Sequence, residues 1–230
     1  MQLQEGDIIF EDNHIIIVQK PAGIAVQEDE SGDVALFDLT LEFIRQKYNK
    51  PGNVYLAVVH RIDRPVQGLV MFAKTSKAAA RLSEMFRDRT IEKTYLAITA
   101  KQPPQLEGTL IDYIWKNTSE NRSYCYKKEK KGSKKAELSY KYHQESGKNY
   151  LLIVNPVTGR PHQIRAQLSN IGCPIVGDVK YGSHLPLNDR SVCLVARRLK
   201  FIHPVKNTEL EVVSRTPKGK FWQKFDFNGI

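Results

Sequence analysis

The chain reads as an α+β domain with a largely antiparallel sheet, and three observations predict this. Its β-rich runs are short, a few helical segments fall among them in mixed order, and turn residues separate neighbouring runs. With 230 residues, 41% hydrophobic and 26% charged, there is enough chain for one substantial core and no compositional sign of disorder. The whole of 1–230 is therefore expected to form one domain, with no appended module.

Taken in order, "DIIFED" and "HIIIVQKPAGIAV" predict a hairpin turning at Asp12-Asn13, its second arm ended by Pro21 and Gly23. "ALFDLTLEFIRQKYN" places Leu36, Leu39, Phe43 and Ile44 on one helix face, and Pro51-Gly52 closes it. The apolar run 54–59 predicts a buried strand leading to Asp63, and "GLVMFAKT" predicts a second. "SKAAARLSEMFRDR" is a helix with Ser76 as N-cap and Ala79, Leu82 and Phe86 inward. "IEKTYLAIT" alternates as a strand, and Pro103-Pro104 marks the expected boundary between two halves of the domain. Residues 127–135 hold six lysines against one glutamate, either a solvated hairpin tip or a loop that tracks phosphate. "AELSYKYHQ" and "NYLLIVNP" flank Gly147 as a hairpin. A helix then starts with Pro161 as its first residue and buries Ile164, Leu168 and Ile171. The final "KFWQKFDF" reads as edge strand or tail packing.

The net charge of +10 favours a polyanionic partner. No apolar run approaches the roughly 20 residues that span a bilayer, so no membrane association is expected. The start has no signal-peptide pattern, and three widely spaced cysteines (Cys125, Cys173, Cys193) argue against a disulfide framework, so a cytoplasmic location is expected.

"HRIDRPVQG" (60–68) sets Asp63 between Arg61 and Arg64. Cations beside a carboxylate keep it ionised, which suits a nucleophile or electrostatic stabiliser and not a general acid. A structural ion pair that staples the loop is the alternative. Glycoside hydrolysis would need a second, protonated carboxylate, and no motif partner of that kind stands out. In "GRPHQIR", Arg160 and His162 cluster near a helix start that favours anions, and Arg165 lies one step beyond Ile164. Lys20 is either a loop residue or a phosphate contact. His60 reads as a residue orienting the loop backbone. Tyr124, Tyr126, Tyr140 and Tyr142 read as strand residues. No His/Cys/Asp set has metal-ligand spacing.

These motifs together resemble the RluA-type family of RNA pseudouridine synthases. "HRIDRPVQGL" is similar to its HRLDxxTSG motif. "KPAG" (20–23), "EKTYLAI" (92–98), "TGRPHQIR" (158–165) and "LVARRLKFIHP" (194–204) resemble its other landmarks, in order, over about residues 7–217. The resemblance implies a mixed, mainly antiparallel sheet with flanking helices and a central cleft. It also implies isomerisation of uridine to pseudouridine in structured RNA, an rRNA or tRNA stem-loop, without cofactor or metal, by a monomer. A delocalised uracil anion retained in the site explains why no second carboxylate is needed. By the same resemblance Asp63, Tyr95 and Arg165 are the catalytic residues: Asp63 the essential carboxylate, Tyr95 stacked on the base, Arg165 paired with Asp63. Arg61 would fill the gap left by the flipped base, with Lys20, Arg160 and His162 as further RNA contacts. The sequence departs from the family at Ile62, at Val66-Gln67 in place of Thr-Ser, and at Val195 in place of a histidine. The Val66-Gln67 change keeps open the alternative of a catalytically weak RNA-binding protein.

Overall fold

Four consecutive β-branched residues begin strand β2 (Ile15–Lys20), and all four are fully buried. That strand pairs antiparallel with β1 (Ile8–Glu11) on one side and β4 (Gln67–Ala73) on the other. An unbroken apolar run, in place of alternation, means that both faces of β2 are covered. On one face Ile15 and Ile17 join Leu69 and Met71 of β4 and Ala78 and Leu82 of helix α2 (Ser76–Asp88). On the other, Phe72 meets Phe37 of helix α1 (Leu36–Lys47) edge-on, with ring centroids 6.2 Å apart. The computed structural model describes residues 2–49 and 52–230, so Pro51 of the expected helix stop lies outside the described residues.

The chain forms two units. The first comprises Met1–Glu92 and Ala196–Arg215, the second Lys93–Val195 and Thr216–Ile230. The expected boundary at Pro103-Pro104 therefore falls inside the second unit. The chain changes units within β5 (Glu92–Thr99) and returns within β10 (Leu194–Ile202), because strand pairing and not proline placement decides which residues pack together.

In the first unit, the hairpin turns as its sequence predicts. Asp12 Oδ1 accepts the N–H groups of His14 and Ile15 at 2.8 and 3.0 Å, a side chain imitating a backbone turn. Its other oxygen meets His203 Nε2 at 2.9 Å, tying the turn to the segment after β10. Helix α2 begins at Ser76, and the N-cap is Thr75, not Ser76: the Thr75 hydroxyl accepts from Ala78 N–H at 3.2 Å. The run 54–59 forms only the two-residue strand β3 (Ala57–Val58), with Tyr55 exposed. Hydrophobicity alone misled there, since this segment only brushes the edge of β4 at Ala73 and Phe72. β10 pairs antiparallel with β11 (Glu209–Val213). Gly68, at φ +120°, lies so close to β10 that a Cβ would sit 2.3 Å from the carbonyl oxygen of Ala196.

The second unit is a meander-like sheet in the order β5-β9-β8-β6-β7, antiparallel throughout, with β6 at Glu107–Asn117, β7 at Arg122–Tyr126, β8 at Lys134–Ser146 and β9 at Asn149–Pro156. The hairpin around Gly147 is as predicted, and Tyr124, Tyr126, Tyr140 and Tyr142 are strand residues. Helix α3 (Gln163–Asn170) begins two residues later than Pro161 because His162 takes a left-handed conformation (φ 53°). Residues 163–168 of α3 are all buried, including Gln163, Arg165 and Gln167. The tail packs through Trp222 and Phe225 around a short 3₁₀ turn and forms no edge strand. The α+β class stands: three α-helices and a dominant antiparallel sheet among the described residues.

Candidate active site

Asp63 stands, half-buried, in the turn before β4, where its carbonyl accepts Val66 N–H at 3.0 Å. The two arginines beside it do not share one role. Arg64 points to the acidic loop at 23–33: its Nε donates to the Gly23 carbonyl at 2.9 Å, one Nη to Ser31 Oγ at 2.8 Å, and the other meets Asp33. Gly23 N–H in turn donates to the Arg64 carbonyl at 2.9 Å. Arg61 is exposed.

The cation that sits beneath the Asp63 turn is Lys20. Its side chain is fully buried, and Nζ donates to the carbonyls of Pro21, Ile24 and Arg64 at 2.9, 2.7 and 3.0 Å. Burial pushes the ammonium down to about 7, the Asp63 carboxylate pulls it back up, and Arg64 lowers it further. Lys20 is thus an internal brace joining "KPAG" to the Asp63 turn. This corrects its reading as an RNA contact: an ammonium with three carbonyl acceptors and no exposed surface cannot reach a phosphate. His60 acts as read from the sequence, since Nε2 accepts Met71 N–H at 2.9 Å and the ring stacks on Phe86 at 4.6 Å. Val66 is buried and Val195 fully so, which makes both departures from the family pattern part of the apolar packing.

In the second unit Arg165 projects from α3 and is buried at 5% exposure. Its Nε and Nη2 meet Asp178 Oδ2 and Oδ1 at 2.7 and 2.8 Å, a two-point ion pair. The guanidinium also lies 5.0 Å from the ring centroid of Tyr181, three residues beyond Asp178. The Tyr181 hydroxyl accepts Ser123 N–H at 2.7 Å and meets His162 Nδ1 at 2.9 Å. Upstream, Gln163 closes the "TGRPHQ" loop on itself. Its Oε1 accepts from Thr158 Oγ1 and Arg160 N–H at 2.7 and 2.9 Å, and its Nε2 donates to the Glu137 carbonyl at 3.0 Å. Arg160 is partly exposed with Nε on the Lys135 carbonyl, leaving its Nη groups without an acceptor among the described residues. Tyr95 occupies β5 opposite Val154 of β9 and is half-buried.

Asp178, Tyr181 and Gln163 were not picked out by sequence reasoning. Asp178 and Tyr181 sit in "IVGDVKYG", whose glycines and lone acid give a turn and no chemistry by pattern alone. Gln163 was visible inside a motif, but its role required the loop geometry. The lysine run also divides. Lys127, Lys128, Lys131, Lys134 and Lys135 are all exposed, but Lys127 Nζ alone of these reaches the buried Asp112, at 2.8 Å. Burial pushes the thiols of Cys125 and Cys193 up to about 12, so neither offers a thiolate. Among the described residues no three His, Cys, Asp or Glu side chains gather as metal ligands.

Comparison with known proteins places the chain. Residues 14–170 match the family model described as RNA pseudouridylate synthase, a span that includes Asp63, Tyr95 and Arg165. The chain belongs to this family of isomerases. It is 32% identical over 215 residues to an RNA pseudouridine synthase of Bacillus subtilis, covering 93% of this chain and 68% of that protein. To the ribosomal large subunit pseudouridine synthase C of Buchnera aphidicola it is 29% identical, covering 90% of this chain and 66% of that protein. An RNA pseudouridine synthase of Haemophilus influenzae is 30% identical, with 96% and 92% covered. The chain thus spans about two thirds of the first two relatives and nearly all of the third. Among solved structures, human RNA pseudouridylate synthase domain containing 4 superposes with a TM-score of 0.78 at 23% identity, covering 95% of this chain and 91% of that one. That likeness carries the fold.

Proposed function

We propose that this protein isomerises a uridine of ribosomal RNA to pseudouridine, with Asp63, Tyr95 and Arg165 as its catalytic residues. Bond by bond, N1–C1′ breaks, uracil turns within the site, and C5 bonds to C1′. C5 then loses its proton and N1 gains one. Asp63 supplies the anion, Tyr95 a face for the base, and Arg165 a fixed guanidinium.

The observation that carries this reading is the construction around Asp63. A half-buried carboxylate sits on a turn whose backbone a fully buried lysine holds at the Arg64 carbonyl, and His60, just before that turn, is anchored on Met71 N–H of β4. Such rigidity is what an anionic catalyst needs, because its effectiveness depends on fixed placement. Ribosomal RNA is the favoured substrate because a relative covering 90% of the chain is named for the large ribosomal subunit. The net charge of +10 suits that polyanion. A reducing cytoplasm suits its three unpaired thiols, and a monomer is the state we expect there.

Tritium release from ribosomal RNA labelled at uridine C5 tests the proposal. Wild type should release tritium, and Asp63→Asn should lower the rate by at least about a thousandfold while RNA affinity holds. Residual turnover within tenfold of wild type would remove Asp63 from the chemistry. Binding without any tritium release by wild type would favour a catalytically weak RNA binder.

A further inference from the structure

The β6–β7 ribbon shows two unlike faces. Its register sets Tyr113 opposite Tyr126, Trp115 opposite Tyr124, and Asn117 opposite Arg122, all with the same parity. The other parity, with Asp112, Ile114 and Ser123, is buried. There Gln167 of α3 donates to Asp112 at 2.8 Å. One side of the ribbon is therefore fastened to the helix that bears Arg165. The opposite side carries three tyrosines, a tryptophan and an arginine, all half-buried.

Cations already lie on these rings. Lys130 Nζ sits 4.5 Å from the Tyr126 centroid and 5.9 Å from that of Trp115. Gly132, at φ +80°, lets the lysine-rich loop fold back over the Trp115 ring, where a Cβ would stand 3.5 Å from Trp115 Cδ1. The decisive residue is Arg122. Its guanidinium carbon lies 5.4 Å from the Tyr124 centroid and 5.4 Å from that of Tyr181, so two rings hold it in place. Its Nε is buried and donates to nothing. No carboxylate lies within ion-pair distance of it among the described residues. A guanidinium fixed by aromatic faces, with its buried Nε given no acceptor, is held ready for an anion at its Nη edge. Tyr181 also touches Arg165, so the waiting cation is one ring away from a proposed catalytic arginine.

We infer that Arg122 takes a backbone phosphate of the substrate RNA close to the target uridine. The Trp115/Tyr124 side of the ribbon then stacks on a nucleotide of the adjoining strand, and the 128–131 lysines follow its phosphates. Single-stranded or loop RNA is the class of ligand, since base–aromatic stacking needs unpaired faces while phosphate contacts add a salt-dependent share of affinity. This rests on the reading of the chain as a uridine isomerase and adds to it the path of the flanking strand.

The test compares wild type, Arg122→Gln and, as a control for charge alone, Lys77→Gln on the exposed side of α2. Binding of a ribosomal RNA fragment that wild type modifies is titrated at several salt concentrations. Arg122→Gln should bind roughly tenfold more weakly, with a log–log salt slope smaller by about 0.7–0.9. Lys77→Gln should match wild type. An Arg122→Gln slope and affinity equal to those of wild type, with wild type active, would overturn the inference. A wild type without isomerase activity whose binding still depends on Arg122 would defeat the proposed function and keep the contact. Should Arg122→Gln fail to fold, Trp222→Phe provides the second measurement, because it leaves Trp115 as the single indole. Its emission should be quenched as RNA saturates the protein, and unchanged emission at saturation would overturn the inference.

Discussion

Arg165 and Asp178 form a two-point ion pair, Nε to Oδ2 at 2.7 Å and Nη2 to Oδ1 at 2.8 Å, with both side chains almost wholly buried. Two charges removed from water in this way stabilise little on balance, yet losing Asp178 takes the two-point carboxylate partner from a buried guanidinium. The pair therefore serves to fix the orientation of Arg165. Asp178→Asn should lower stability by about 3–5 kcal/mol, measured by urea unfolding. The double change Arg165→Met with Asp178→Leu should recover much of that loss and remain inactive. Activity in the stable double variant would reduce Arg165 to a packing residue.

Lys20 braces the Asp63 turn from beneath. Lys20→Met removes three donors from the carbonyls of Pro21, Ile24 and Arg64, so turnover should fall while RNA affinity holds. The stability of wild type relative to this variant should also depend on pH. Burial lowers the folded-state value to about 7 from 10.5, so between those limits the unfolded chain binds the proton that the native state has released. Relative stability then rises with pH across that window, by at most about 1.4 kcal/mol per unit, and is flat below it. A difference that falls or stays level between pH 7 and 10 would show that Lys20 keeps its proton.

Much of this was legible in the sequence, and the exceptions have definable causes. Strong periodicity located α1, α2 and the strands β2, β4, β5, β8 and β9, because burial of one face or both leaves a pattern within the segment itself. Asp63 and Arg165 were visible through motif spacing. Lys20 was visible as a residue and misread in role, since nothing local distinguishes a lysine capped by carbonyls from one facing phosphate. Asp178, Tyr181 and Gln163 were silent for a similar reason: their partners lie 3–58 residues away along the chain, and only the folded loops bring them within reach. The strand expected at 54–59 failed in the opposite sense. Its apolar composition is real, but only Ala57 and Val58 find a ladder.

Gly68 offers a test of how β4 approaches β10. At φ +120°, and with a Cβ only 2.3 Å from the Ala196 carbonyl oxygen, alanine meets both a backbone clash and a conformational penalty. Gly68→Ala should cost more than about 1–3 kcal/mol in thermal or urea unfolding. A neutral result would mean that β10 can shift without loss of pairing.

The lysine run separates into a structural and an electrostatic part. Lys127→Ser removes an exposed cation from the buried Asp112 carboxylate, which keeps Gln167 as a donor, so it should destabilise by about 1 kcal/mol. Lys128→Ser with Lys131→Ser should leave the melting temperature unchanged and reduce the salt slope of RNA binding by about one unit per lost contact. Equal melting temperatures for all three proteins would mean that the Lys127–Asp112 pair adds nothing to stability.

Arg61 tests a role that can be separated from bond making. It is exposed on the segment that leads into Asp63, in contrast to Arg64, which is tied to Gly23, Ser31 and Asp33. An exposed guanidinium beside the proposed catalytic carboxylate is free to enter an RNA stack when the target base leaves it. If it does, Arg61→Ala removes what offsets the unstacking, a cost on the order of a few kcal/mol for a uridine within a folded loop. An unstructured oligonucleotide has little stacking to lose and should suffer far less. Single-turnover rates on the two substrates, together with a fluorescent base at the target position, read the difference. The variant should show reduced extrusion in the folded RNA at saturating protein. If Arg61 instead braces the Asp63 turn, both substrates should slow by the same factor, and equal losses would reject the stacking role.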